Sequence, residues 1–131
     1  MDPNVECNCT ASELMIFPCA GACSVGQLSN DLAKKMSKEG IGKMACIAAV
    51  GAGGPMAIKA ANEAKIVLII DGCPMSCAKK IVEKAGIRPT LQVLVSDIGM
   101  KKTDVLGYTD EEMELAFRMT LDRLKSVPRQ P

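Results

Sequence analysis

The residues of this chain best able to do chemistry are its cysteines. Seven are present, at positions 7, 9, 19, 23, 46, 73 and 77, and there is no histidine. An odd number of thiols in a chain expected to sit in a reducing compartment is not a disulfide framework. It points to metal binding or thiol chemistry, with buried apolar cysteine as the plain alternative. Without histidine, a metal site must be all-thiolate or be completed by carboxylate or water. Neither a Ser-His-Asp nor a Cys-His catalytic arrangement can be built.

Two turns carry most of the signal: Cys19-Ala20-Gly21-Ala22-Cys23 and Asp71-Gly72-Cys73-Pro74-Met75-Ser76-Cys77. Pro74 suits a first helical position, which makes Cys73 the predicted N-cap and Cys77 its neighbour one turn on, with Cβ atoms ~5–6 Å apart. Sulfurs so placed can share one ion, each ~2.3 Å from zinc. A helix N-terminus favours thiolates, and it would offset the net charge of about −2 that four of them leave around a divalent ion. Gly21 and Gly72 would let the backbone approach the sulfurs closely. Cys46, between Ala45 and Ile47, reads equally as a core residue or as a ligand. Cys7 and Cys9 form a C-x-C in the lead-in and read as unliganded. The spacing also admits an iron–sulfur cluster, which takes four thiolates as readily as zinc does.

Other groups say less. Gly51-Ala52-Gly53-Gly54 is not followed by the Lys-Ser/Thr of a phosphate-binding loop, so it reads as a turn. Asp71 would either add an oxygen ligand or close a strand–helix turn. Lys79 and Lys80 would be cations near the site or part of a solvated helix face.

The elements that must position these residues follow from periodicity. Glu13 to Pro18 reads as a buried strand. Ser24 and Gln27 have capping-box spacing, Leu28, Leu32 and Met36 form a helical stripe, and Gly40 closes it. Lys43 to Val50 is a second apolar run, read as a strand containing Cys46. Pro55 opens a helix ending near Glu63. Lys65 to Ile70 is the clearest strand, and a helix is predicted from Cys73-Pro74 to Gly86. Thr90 to Val95 is a fourth strand, and Thr109 with Glu112 caps a last helix carrying Met113, Phe117, Leu121 and Leu124. Strands that are apolar throughout need both faces covered, which crossover helices of a parallel sheet provide. The expectation is a small single-domain three-layer αβα sandwich, Rossmann-like and doubly wound. It has about four mostly parallel strands, right-handed crossovers and helices of 12–15 residues. Its core runs over about 13–125 of the 131 residues, with a lead-in over 1–12 and a tail over 126–131. Open parallel sheets bind ligands beyond the carboxyl ends of their strands, where two of the three cysteine groups fall.

Composition narrows the function. Sixteen Lys and Arg against fifteen Asp and Glu leave no basic footprint, and one Tyr with two Phe offers no base-stacking platform, so nucleic acid is not an expected partner. No apolar run approaches the ~20 residues that span a bilayer, and no signal peptide is evident, so a cytoplasmic protein off the membrane is expected.

At Asp71-Gly72-Cys73 the chain resembles the DGC family, named for that tripeptide and regarded as zinc-binding. The likeness extends to Cys19-Ala20-Gly21-Ala22, Val25-Gly26-Gln27-Leu28, Gly40-Ile41-Gly42-Lys43-Met44-Ala45-Cys46, Ile70 to Pro74, and Cys77-Ala78. The resemblance implies a zinc site of Cys19, Cys46, Cys73 and Cys77, with no established activity. Cys23 departs from the family pattern, where a serine-like residue is expected, and is an alternative ligand. The leading expectation is therefore a zinc-binding protein of unassigned role. The alternatives are a thiol-redox enzyme using Cys73 with Cys77 or Cys19, and an iron–sulfur electron-transfer or sensor module. Which proteins it partners is not legible in the sequence.

Overall fold

The computed structural model describes residues 13–128. Cys7 and Cys9 lie outside them. The chain runs β1 (Leu14–Pro18), α1 (Ser24–Lys38), β2 (Lys43–Met44), α2 (Ile47–Gly51), α3 (Pro55–Glu63), β3 (Ile66–Asp71), α4 (Cys77–Lys84), β4 (Leu91–Leu94), a 3-10 turn (Val95–Ile98) and α5 (Asp110–Lys125). The four strands form one parallel sheet in the order β2-β1-β3-β4.

Alternation along the two central strands sorts the core into two layers, because successive side chains leave a strand on opposite faces. Leu14 and Ile16 of β1 and Leu68 and Ile70 of β3 face α1 and α5, meeting Leu28, Leu32, Met36 and Ala116. Met15, Phe17, Val67 and Ile69 face the other way, onto Val50, Ala61, Ala78 and Val82 of α2, α3 and α4. Both faces are thus covered, and the expected three-layer sandwich is what the chain forms. Each large aliphatic chain buried there contributes roughly 1.5–3 kcal/mol.

The ends of the elements depart from expectation in places that bear on function. The second strand is only Lys43–Met44, and Cys46 is not within it. Cys46 instead caps a short helix that was not anticipated, its sulfur accepting from the Ala49 N–H at 3.4 Å. Small alanines with a turn-forming Gly-rich exit let that segment coil where the apolar count alone read as strand. Helices α3 and α4, of 9 and 8 residues, are also shorter than expected. Ser24 is the first residue of α1 and not its cap, so no Ser24–Gln27 box forms; Cys23 is the N-cap. Helix α4 begins at Cys77 behind Ser76, which is left-handed at φ 55, so Cys73 is not its N-cap.

Other signals held. Pro55 opens α3, and Thr109 and Glu112 close a reciprocal capping box on α5. Gly40 at φ 75 follows α1, with Gly40 N–H donating to Ser37 O and Ile41 N–H to Met36 O, the double bond of a Schellman end. The Gly51–Gly54 segment is a turn of the same kind: Gly53 and Gly54 donate their N–H groups to Val50 O and Ala49 O. Those donors are engaged within the turn.

Backbone packs closely against backbone where the turns after β1 and β3 meet the start of α1. A Cβ on Gly72 would lie 2.9 Å from Gly26 N, Val25 C and Val25 Cγ2. A Cβ on Gly26 would lie 2.6 Å from Gly21 O. All but Val25 Cγ2 are backbone atoms, whose contacts rotamer changes cannot relieve. Gly72→Ala is therefore expected to cost about 1–3 kcal/mol by overpacking, whereas Gly107→Ala, with nothing within 4 Å, stays within about 0.5 kcal/mol of wild type. Urea unfolding of the two variants checks this.

Candidate metal centre

Strand order reverses between β1 and β3. From β1 the chain steps outward to β2, then crosses back to β3 and on to β4. At such a switch point the turns leaving adjacent strands diverge to opposite faces and open a crevice at the carboxyl edge. Cys19 leaves β1 there, its N–H donating to Ile70 O of β3 at 2.8 Å. Gly72 and Cys73 leave β3 beside it, and Cys46 follows the end of β2.

Cys19 is half-buried. The Gly21 N–H donates to its sulfur at 3.3 Å. Burial pushes its thiol pKa up; backbone hydrogen bonds from Gly21 and Gly72 pull it partly back, and the charges of Asp71 and Cys77 add to the rise. The sulfurs of Cys19 and Cys23 both lie within 4 Å of where a Cβ on Gly21 would stand. Those two thiols nevertheless pack toward different layers. Cys19 lies against the α2–α3–α4 core, while Cys23 and Cys73 lie against the α1–α5 core. Cys46 and Cys77 are exposed. The exposure of Cys46 overturns the reading of it as a core residue.

The edge therefore holds Cys19, Cys23, Cys46, Cys73 and Cys77 on the turns that follow three strands. Among the described residues, however, no three Cys, Asp or Glu side chains stand together closely enough to hold a metal ion. The donor set fits a thiophilic metal such as zinc in its chemistry; its spacing in this structure is open.

Asp71 is not aimed at that crevice. It is 1% exposed, and its carboxylate accepts from Ala78 N–H at 2.8 Å, Lys79 N–H at 3.2 Å and Gln92 Nε2 at 2.9 Å. The last residue of β3 thus caps α4 from below, supplying the cap that Ser76, which makes no side-chain cap bond, does not. Of its two expected roles, closing the turn is the one the geometry supports. Gln92 of β4 also donates to Ser76 Oγ at 2.8 Å, tying the left-handed residue to the sheet.

Sequence reasoning missed Lys102. Its Nζ lies 3.8 Å from Cys73 Sγ. Lys79 and Lys80, considered for this part, sit on α4. Lys102 comes from the loop after β4, and its neighbours are fixed by buried Ser24: Ser24 Oγ donates to Lys101 O and accepts from Thr103 N–H, both at 3.0 Å. Ser24 N–H also donates to Thr103 O at 2.9 Å. The Lys101-Lys102 pair was visible in the sequence, but 77 positions separate Ser24 from the residue its hydroxyl holds. Only the fold makes that pairing.

Asp71→Asn tests the buried cap. It replaces an acceptor with a donor facing N–H groups, so a loss of about 1–3 kcal/mol is expected. Removing the negative charge also lowers the Cys19 pKa, because that charge helps raise it. Iodoacetamide labelling of Cys19 should then rise at lower pH in the variant than in wild type. The sign for stability is the reverse of a carboxylate's. A raised thiol pKa favours the fold below the ordinary thiol range, and that contribution is lost as pH climbs through the raised value.

No helix among the described residues is long and apolar enough to cross a membrane. No solved structure matches the chain. It is 35% identical over 110 residues to the anaerobic and virulence modulator AnvM of Pseudomonas aeruginosa, covering 84% of this chain and 83% of that protein. The DGC domain profile matches residues 15–120, which takes in the sheet from Met15 onward, the glycine-packed turns and Cys19, Cys23, Cys46, Cys73 and Cys77. The chain belongs to the DGC domain family.

Proposed function

We propose that this protein binds zinc through Cys19, Cys46, Cys73 and Cys77, with Cys23 as the alternative ligand. The observation that carries the reading is that the turns leaving β1, β2 and β3 bring thiols to one carboxyl edge, around the switch point. No carboxylate there competes for the role, since Asp71 is engaged in capping.

Binding in this reading closes an open arrangement. Exposed Cys46 and Cys77 move inward onto half-buried Cys19 and Cys73, and the ion ties together three turns. Each thiol must lose its proton to ligate, so loading weakens as pH falls. The raised Cys19 pKa makes this sulfur a costly one to deprotonate. The N-termini of α1 and α4 and the Lys102 ammonium supply positive potential against the excess negative charge of four thiolates.

The Pseudomonas relative is named as a modulator. By that likeness we read the protein as a cytoplasmic regulator whose metal-bound and metal-free states differ at the cysteine edge, the turns being the part that changes.

The test is elemental analysis of anaerobically purified full-length protein. About one zinc per chain is expected, falling sharply in Cys73→Ser and unchanged in Cys9→Ser. Equal occupancy in the two variants would sink the site. Iron with inorganic sulfide and broad visible absorption would replace zinc with a cluster. Metal-free protein with one fast-alkylating cysteine would favour the thiol-redox reading. Because both core layers are built from apolar side chains, chelation should loosen the turns and leave the far-ultraviolet circular dichroism in place.

A further inference from the structure

The sequence Cys73-Pro74-Met75-Ser76-Cys77 carries sulfur at alternate positions, and only the two thiols have so far been given a role. Met75 is 57% exposed, a large apolar side chain left in water at the rim of the cysteine edge. An exposed methionine alone means little. What its sulfur faces is more specific. Lys102 Nζ lies 3.6 Å from Met75 Sδ and 3.8 Å from Cys73 Sγ. One thiol and one thioether, from residues two apart, thus converge on a single point occupied by a cation.

That point is built. The residues on either side of Lys102 are held by hydrogen bonds to Ser24, which is 2% exposed at the start of α1. The loop is pinned above the site, while the lysine side chain itself is exposed and is held there only by its two sulfur contacts. On the sulfur side, Ser76 N–H donates to Cys73 O at 3.1 Å, and Ser76 is in turn held by Gln92. Both walls are fixed through backbone or buried polar contacts, and the ammonium between them is replaceable.

We propose that Cys73 and Met75 form a site for a soft monovalent metal ion, copper(I), at the point where the Lys102 ammonium stands. Zinc ligands are thiolate, imidazole and carboxylate, and a thioether adds little to them. Thiolate and thioether together select copper(I). Met75 is therefore the residue that distinguishes the two metals. Binding exchanges the Cys73 thiol proton for the ion, the lysine swings out to solvent, and no electron is transferred. The inference rests on Cys73 being an available ligand, as in the zinc reading, but it adds a donor and a metal class that the four cysteines alone do not specify.

The experiment uses full-length protein with Cys7→Ser and Cys9→Ser, so that the lead-in pair does not take the metal. Copper(I) is presented as its bathocuproine disulfonate complex under anaerobic conditions, and the methionine methyl groups are carbon-13 labelled. The Met75 methyl resonance, assigned by its absence in Met75→Leu, is expected to take the large shift of a metal-bound thioether on copper(I) addition, and only the smaller displacement of a rearranged turn with zinc. Met75→Leu should lower copper(I) affinity at least roughly tenfold, the low end of what losing even an outer partner costs a metal site. It should leave zinc affinity unchanged. Met56→Leu, at the exposed methionine near the start of α3, should change neither. A Met75 methyl without that large shift on copper(I) addition, or equal copper(I) affinity in Met75→Leu and its parent, overturns the proposal. Failure of the parent to bind zinc, with the copper(I) response intact, would overturn the zinc reading alone.

Discussion

The contact on which this molecule depends is the meeting of backbone with backbone at the switch point. Gly72 lies against Val25 and Gly26, and Gly26 lies against Gly21, with no room at Gly72 or Gly26 for a Cβ. Gly21 and Gly72 from two turns and Gly26 from the first turn of α1 therefore form one close-packed seam at the ends of β1 and β3. It joins the two halves of the sheet's edge more closely than side chains would allow. The Cys19 sulfur sits in that seam, within hydrogen-bond reach of one glycine and under the influence of another. Were either turn held off by a methyl group, the thiols after β1 and β3 would no longer face one crevice.

Around the seam, buried polar groups do the aiming. Asp71 fixes the start of α4, and hence Cys77, by accepting from two backbone N–H groups and Gln92. Ser24 fixes the loop that carries Lys102. Both lie below the cysteines and neither is offered to solvent. Among the described residues, no buried side-chain nitrogen or oxygen lacks a partner, so the polar atoms beneath the edge are committed to structure. The thiols are held only by long contacts to a backbone N–H or to Lys102, and two of them, Cys46 and Cys77, are exposed. A fixed base with thiols at its rim is the arrangement that the proposed metal site would require.

The layout of thiols over the two layers also explains why the edge is open. Cys19 packs toward one core and Cys73 toward the other. Ligation by both requires the ion to sit over the sheet's edge, with the exposed sulfurs of Cys46 and Cys77 brought in from the rim. In the proposed site that would be a movement of side chains and of short turns such as the one at left-handed Ser76, and not of the strands.

Much of this was legible in the sequence because it depends on local patterning. Continuous apolar strands separated by amphipathic segments required a parallel sheet covered on both faces. Pro55, Gly40 and the Thr109–Glu112 pair marked helix ends by chemistry that acts within a few residues. The cysteine turns and the family likeness followed from residue order alone. What the sequence left undecided were matters of long-range packing. The apolar run Lys43 to Val50 reads as a strand containing Cys46, yet pairing with β1 ends at the Ala45 N–H bond to Ile16 O and the segment coils into α2. Cys73 lost its cap position because Asp71, held by the sheet, takes over the start of α4. Lys102 reaches Cys73 only because Ser24 anchors a loop far along the chain. Residue type and spacing determined which sulfurs the protein carries and the edge at which they gather. Tertiary structure decided which face each sulfur meets, which carboxylate is withdrawn into a cap and which cation stands beside the thiols, because those outcomes depend on contacts between residues that the sequence keeps apart.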